Sequence, residues 1–154
     1  VSGRLLGIDL GDRRIGLAIA EPDNGHVRPL STIRRASDPA TDAEAIRRII
    51  EGIGVTEIIC GLPLEANGDE GPQARLTREW VAGFEPAIGL PVSLRDERLT
   101  SHVAEERAPR PPRGRSGGPP TSAQREARRA LIDRLAAAVL LEDELAARRA
   151  GRSS

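Results

Sequence analysis

Two apolar runs near the start of the chain, residues 5–10 and 15–20, are each of strand length. They flank residues 11–14, where a glycine and an aspartate carry turn chemistry. The pattern predicts an antiparallel hairpin, and a third strand is predicted over 27–34. The period then changes. Ala45, Ile46, Ile49, Ile50 and Ile53 recur at helical spacing, with Thr41 or Asp42 as the expected N-cap. Residues 57–61 read as a buried strand, and the turn-rich stretch "GLPLEANGDEGPQ" leads from it into a helix over about 73–84. "LPVSLRDER" reads as another strand, and Thr100 or Ser101 is the expected cap of the helix that follows. Strands alternating with helices after an N-terminal antiparallel hairpin imply an α/β fold with a mixed sheet whose later strands are parallel.

Between Ala108 and Ser122, five prolines, three glycines and three arginines occur among fifteen residues. That composition buries no core and predicts a mobile loop over about 108–122. The last predicted helix, about 123–149, sets Leu131, Ile132, Leu135, Ala136, Val139 and Leu140 on one broad apolar face. A chain of 154 residues suits one core of ordinary size, so a single domain over 1–154 is expected.

Charge changes this picture by its placement. The 23 basic residues, all arginine, balance 23 acidic ones, so no net field steers the whole molecule toward a polyanion. Residues 1–94 nevertheless carry 10 arginines against 14 carboxylates, and residues 95–154 carry 13 against 9. Seven arginines fall within 107–129, opposed by Glu126 alone, a cluster suited to a phosphate backbone. Trp80 and Phe84 are the only Trp, Tyr or Phe, and their i, i+4 spacing reads as core on one helix face. Base recognition by aromatic stacking is therefore not expected. The lone Cys60 excludes an internal disulfide and reads as a small apolar strand residue. No segment approaches the roughly 18 apolar residues of a membrane span and no secretory pattern opens the chain, so a cytoplasmic protein without a membrane partner is expected.

Three carboxylates stand out against the pattern. Asp9 interrupts the apolar run of the first strand, where it is either satisfied by turn amides or used as a ligand. Glu97 ends "PVSLRDER" beside Asp96, where a surface pair with Arg95 or Arg98 is the simpler alternative. Asp133 projects at the edge of the apolar face of the last helix, near Ala136, Ala137 and Arg129. If the three converge, their repulsion calls for a hard divalent cation such as Mg²⁺.

The segments "GIDLGDRRIGLA", "GLPLEANGDEGPQA", "DERLTS" and "ALIDRLAAAVLLEDEL" lie in this order over roughly residues 4–145. They resemble the four signature blocks of the YqgF family, described both as Holliday junction resolvases and as pre-16S rRNA nucleases. The resemblance implies a ribonuclease H-like fold with helices on both faces of the sheet. It implies catalytic, metal-ligating carboxylates at Asp9, Glu97 and Asp133, with Asp96 in an outer position. Two Mg²⁺ or Mn²⁺ ions would then serve phosphodiester hydrolysis. Arg13, Arg14 and Arg98 near the scissile phosphate, and Arg110, Arg113 and Arg115 in the loop, are the expected substrate contacts, although each alone reads equally as solvated charge. Gly61, Gly68 and Gly71 mark a second loop, expected either to approach the substrate backbone or simply to turn the chain.

The implied activity is a metal-dependent endonuclease on structured nucleic acid. Its implied setting is processing of the 5′ end of pre-16S rRNA, with the pre-ribosome as partner. The alternatives are a Holliday junction resolvase acting on four-way DNA and a non-catalytic RNA- or ribosome-binding module. "GIDLG" also resembles the phosphate loop of the sugar kinase, actin and heat-shock chaperone superfamily. Against that reading, Asp12 and Arg13 replace the small hydroxyl residues of such a loop, and the chain is short for two lobes.

Overall fold

The computed structural model describes residues 3–97, 100–110, 113 and 116–152, apart from the side chain of Ser101. The five strands are β1 (Arg4–Leu10), β2 (Arg14–Glu21), β3 (His26–Arg34), β4 (Val55–Leu62) and β5 (Val92–Asp96), joined in one sheet of order β3-β2-β1-β4-β5. The hairpin β1–β2 and the pair β2–β3 are antiparallel, whereas β4 runs parallel to both β1 and β5. The helices are α1 (Pro39–Ile50), α2 (Pro72–Ile88), α3 (Thr100–Arg107) and α4 (Ser122–Arg152).

The two-residue period of the strands sorts side chains between two layers. Leu6 and Ile8 of β1, Ile15, Leu17 and Ile19 of β2, and Ile58 and Cys60 of β4 pack against Ile46 of α1 and Trp80 and Phe84 of α2. The aromatic rings stack with centroids 4.3 Å apart, in the core as their spacing predicts. On the other face Leu5, Ala18, Ala20 and Ile59 meet Ala137, Leu140 and Leu141 of α4. Helices thus cover both faces, and the arrangement is ribonuclease H-like. Small residues bring α4 unusually near the hairpin. A methyl group on Gly7 would stand 2.8 Å from the carbonyl oxygen of Ala137, and one on Gly16 would collide with the backbone of Asp133. The Thr32 hydroxyl donates to the Ala130 carbonyl at 2.5 Å and ties the same helix to β3.

Several boundaries differ from the sequence expectation: α1 stops at Ile50, short of Ile53, and β4 spans Val55–Leu62, longer at both ends than the expected 57–61. The N-cap of α1 is Asp38, which accepts the Thr41 amide at 2.9 Å, because Pro39 has the fixed φ suited to the first helical position. Asp42 instead lies within the helix, only 1% exposed. It accepts the Ala36 amide at 2.7 Å and the Trp80 indole N–H at 3.0 Å. Helix α2 passes Phe84 and ends at Gly89, whose φ of 75° closes it in the left-handed conformation. Helix α4 extends three residues beyond its expected end. Its burial is concentrated over residues 136–141, where α3 packs along the side of α4 that the sheet leaves open, while Leu131, Ile132 and Leu135 are only half-buried. Among the described residues no helix is long and apolar enough to cross a membrane.

Candidate active site

Asp9 follows Leu5 and Gly7 on the α4 face of β1, the strand with two neighbours on either side. The parallel register that pairs Ile8 with Cys60 sets Gly61 of β4 beside Asp9. Glu97 is the first residue after β5. Its amide donates to the Leu62 carbonyl at 3.2 Å, and its own carbonyl accepts both the amide (3.1 Å) and the hydroxyl (3.0 Å) of buried Thr100. The backbone of Glu97 is therefore pinned from both sides. Its side chain lies over Gly61, where any Cβ would collide with the carboxyl group.

That path brings Glu97 into hydrogen-bonding contact with Asp9. Burial raises the Asp9 pKa from 3.8 to about 6; the hydrogen bond from Glu97 opposes the rise and the charge of Asp133 adds to it. Burial also lifts Glu97 from 4.5 to about 9, reinforced by the charge of Asp9, by the shared hydrogen bond and by Asp96. Near neutral pH the two carboxyl groups hold one proton between them, with Glu97 donating and Asp9 accepting. Cys60, on the opposite face, stays a neutral thiol, because burial and the two carboxylates raise its pKa.

Asp133 arrives from α4. Its carboxylate accepts Arg14 Nε at 2.6 Å, and Arg14 also reaches Glu126 Oε1 at 3.2 Å. The three expected carboxylates are thus assembled unequally. Asp9 and Glu97 form a hydrogen-bonded pair, and Asp133 acts on Asp9 through its charge while its oxygens face a guanidinium. Among the described residues no three His, Cys, Asp or Glu side chains converge closely enough to hold a metal ion. Arg14 offsets part of the Asp133 charge, and what remains still raises the Asp9 pKa.

Of the expected substrate contacts, Arg13 and Arg14 line a groove of about 760 Å³ beside Asp133, together with Arg34, Arg35 and Arg129. Arg110 and Arg113 are exposed in the segment between α3 and α4, where Arg113 donates to the Gly117 carbonyl at 3.2 Å. Arg98 and Arg115 lie outside the described residues, as does the side chain of Ser101. Gly61 is inside β4, not in a loop, and its service is to make room for Glu97. Gly68 takes a φ of 91° in the following turn, and Gly71 caps α2. Sequence reasoning missed Arg34 and Arg35, because an Arg-Arg pair at a strand end carries no signal until the hairpin places it beside α4.

Residues 3–147 match the family described as RuvX, Holliday junction resolvase. The chain belongs to the RuvX family. This is the family also called YqgF, and membership makes the protein a hydrolase of the nuclease class. A candidate pre-16S rRNA nuclease of Roseiflexus sp. (strain RS-1) is 38% identical over 147 residues, which cover 96% of each chain. Another, from Anaeromyxobacter sp. (strain K), is 45% identical over 104 residues, 68% of this chain and 75% of that one. Among solved structures, T. thermophilus RuvC in complex with a Holliday junction substrate has 19% identity and a TM-score of 0.51, covering 95% of this chain and 96% of RuvC. At that identity the likeness is one of fold.

Proposed function

We propose that the protein is a metal-dependent endonuclease that hydrolyses phosphodiester bonds of structured nucleic acid. Its proposed physiological substrate is the 5′ region of pre-16S rRNA, met in the cytoplasm on the maturing ribosomal subunit. The observation that carries this reading is the enclosed, hydrogen-bonded pair of Asp9 and Glu97 packed over Gly61, with Asp133 lining the arginine-rich groove nearby. Two enclosed carboxyl groups that hold a proton between them mark a place where a cation is the natural replacement, and oxygen donors suit Mg²⁺ or Mn²⁺. Asp9 and Glu97 would hold the ion, with Asp133 as a further ligand once Arg14 is drawn away. A divalent cation bound there lowers the pKa of water and neutralises charge developing on a phosphodiester.

The protein's own residues supply position and charge. Asp9 sits on a strand paired on both sides and keeps its place. Glu97, its proton released to solvent, would be the second carboxylate available to hold the ion. Arg14 would place its guanidinium toward a phosphate oxygen. Arg13 lines the same groove. Arg98 is proposed to act at the scissile phosphate itself, and Arg110, Arg113 and Arg115 to extend the contact on the flank that the arginine groove holds. The family description supplies a second reading, cleavage of four-way DNA, and one experiment separates the two. Purified protein is incubated with precursor 16S rRNA and with a four-way DNA junction, each with Mg²⁺, Mn²⁺ or chelator. Metal-dependent cleavage of the RNA is expected; cleavage of the junction alone favours the second reading, and cleavage of neither refutes the nuclease.

A further inference from the structure

The candidate carboxylates lie between two grooves of opposite sign. On the Asp133 side, the groove between the β1–β2 turn, the end of β3 and the start of α4 presents Arg13, Arg14, Arg34, Arg35 and Arg129. Its carboxylates are Asp12, Glu126 and Asp133, outnumbered by five arginines; Glu126 and Asp133 are both bonded to Arg14, and Glu126 also lies 3.8 Å from Arg129. Arg13 and Arg34 have no ion-pair partner among the described residues. On the Glu97 side, a groove of about 920 Å³ between α3 and α4 is lined by Asp96, Glu97, Glu142 and Asp143. Arg107 is its one arginine among the described residues, and Glu142 holds that guanidinium through both oxygens, at 2.7 and 3.0 Å. Leu64, Val103 and Val139 supply an apolar wall. With Glu97 holding the shared proton, Asp96, Glu142 and Asp143 still outnumber Arg107 among the described residues, so a phosphate backbone is attracted along the first groove and disfavoured along the second.

We propose that the arginine groove is the subsite for the sugar–phosphate backbone on one flank of the scissile bond, and that the backbone on the other flank is not gripped. The inference rests on the nuclease reading and adds to it the side from which substrate is held. Recognition in this subsite is by phosphate charge and backbone shape. Trp80 and Phe84, the only large aromatic side chains, are both in the core and offer no stacking platform. The cut therefore falls at the border of the contacted segment.

The test uses the full chain and a precursor 16S rRNA fragment whose cut is first mapped in Mg²⁺. Phosphate ethylation interference on the same RNA, in chelator, then reports which phosphates binding requires. Interfering positions should lie on one side of the cut. The double variant Arg34→Gln/Arg129→Gln should lose them, because both side chains are exposed in the groove. Its slope of log affinity against log salt should fall by roughly 1.4 to 1.8 for two lost phosphate contacts. An unchanged melting curve shows that the variant is folded. Interference spread evenly across the cut, or an unchanged salt slope in the folded variant, would overturn the one-sided grip while leaving the nuclease in place. An RNA that wild-type protein never cuts would refute the nuclease reading, and the subsite with it.

Discussion

Replacing Asp9 by asparagine keeps the shape of the side chain and removes its charge, so its effect on the metal-free protein should depend on pH. Burial is the main reason that the Asp9 pKa rises from 3.8 to about 6. Below pH 3.8 the carboxyl group is protonated in both folded and unfolded chains and makes no difference. As pH rises toward 6 the unfolded chain ionises freely while the folded one resists, and the stability associated with the retained proton is lost. That displacement corresponds to about 3 kcal/mol, fully felt above pH 6. Asparagine carries no such cost. In chelator, Asp9→Asn should therefore be more stable than wild type by up to about 3 kcal/mol at pH 7.5 and nearly equal to it at pH 4. Glu97, raised from 4.5 to about 9, loses its contribution in the same direction as pH climbs through that higher value. Urea unfolding at pH 4, 6 and 7.5 reads the difference, and saturating Mg²⁺ should reverse the order at pH 7.5 by stabilising the wild type alone. A variant less stable than wild type by the same margin at every pH would refute the reasoning, because Asp9 would then be an anchor for its turn.

Three further substitutions probe the scaffold. Gly16→Ala drives a methyl group into the α4 backbone at Asp133 and should cost about 3 kcal/mol, measured by chemical denaturation, because backbone cannot step aside as a side chain can. Gly61→Ala meets only the mobile end of Glu97, so the melting temperature should hold while cleavage falls on the order of 100-fold through the displaced carboxyl group. Asp42→Ala leaves the Ala36 amide and the Trp80 indole without their acceptor and should cost about 2 to 4 kcal/mol in unfolding experiments, with the folded fraction as active as wild type.

The strands were legible because their apolar runs are short and bounded by turn residues, and the first three pair in chain order. The parallel part followed because a strand, a helix and a strand in succession leave few other arrangements. Asp9 was visible for a local reason: a carboxylate inside an apolar run is costly unless something answers it. What answers it was not visible. The partnership of Glu97 with Asp9 depends on Gly61 lending its empty Cβ position, three strands of the sheet meeting where no short window of sequence can show it. Asp42 looked like a cap because caps and buried acceptors share residue types, and its true partner, Trp80, lies 38 residues away. The bond from Arg14 to Asp133, 119 residues away, was not visible either. The arginine groove likewise assembles the ends of β2 and β3 with the start of α4, elements that only the antiparallel hairpin and the close approach at Gly16 bring together.

The central claim is that a cation takes the place of the proton shared by Asp9 and Glu97, and calorimetric titration of the protein with Mg²⁺ at pH 7 tests it most directly. Run in two buffers of different ionisation enthalpy, the titration counts protons released per ion bound. Close to one proton per ion is expected in the wild type, with binding strongly weakened in folded Asp9→Asn. Tight binding of Mg²⁺ without proton release, or undiminished binding in Asp9→Asn, would contradict the account.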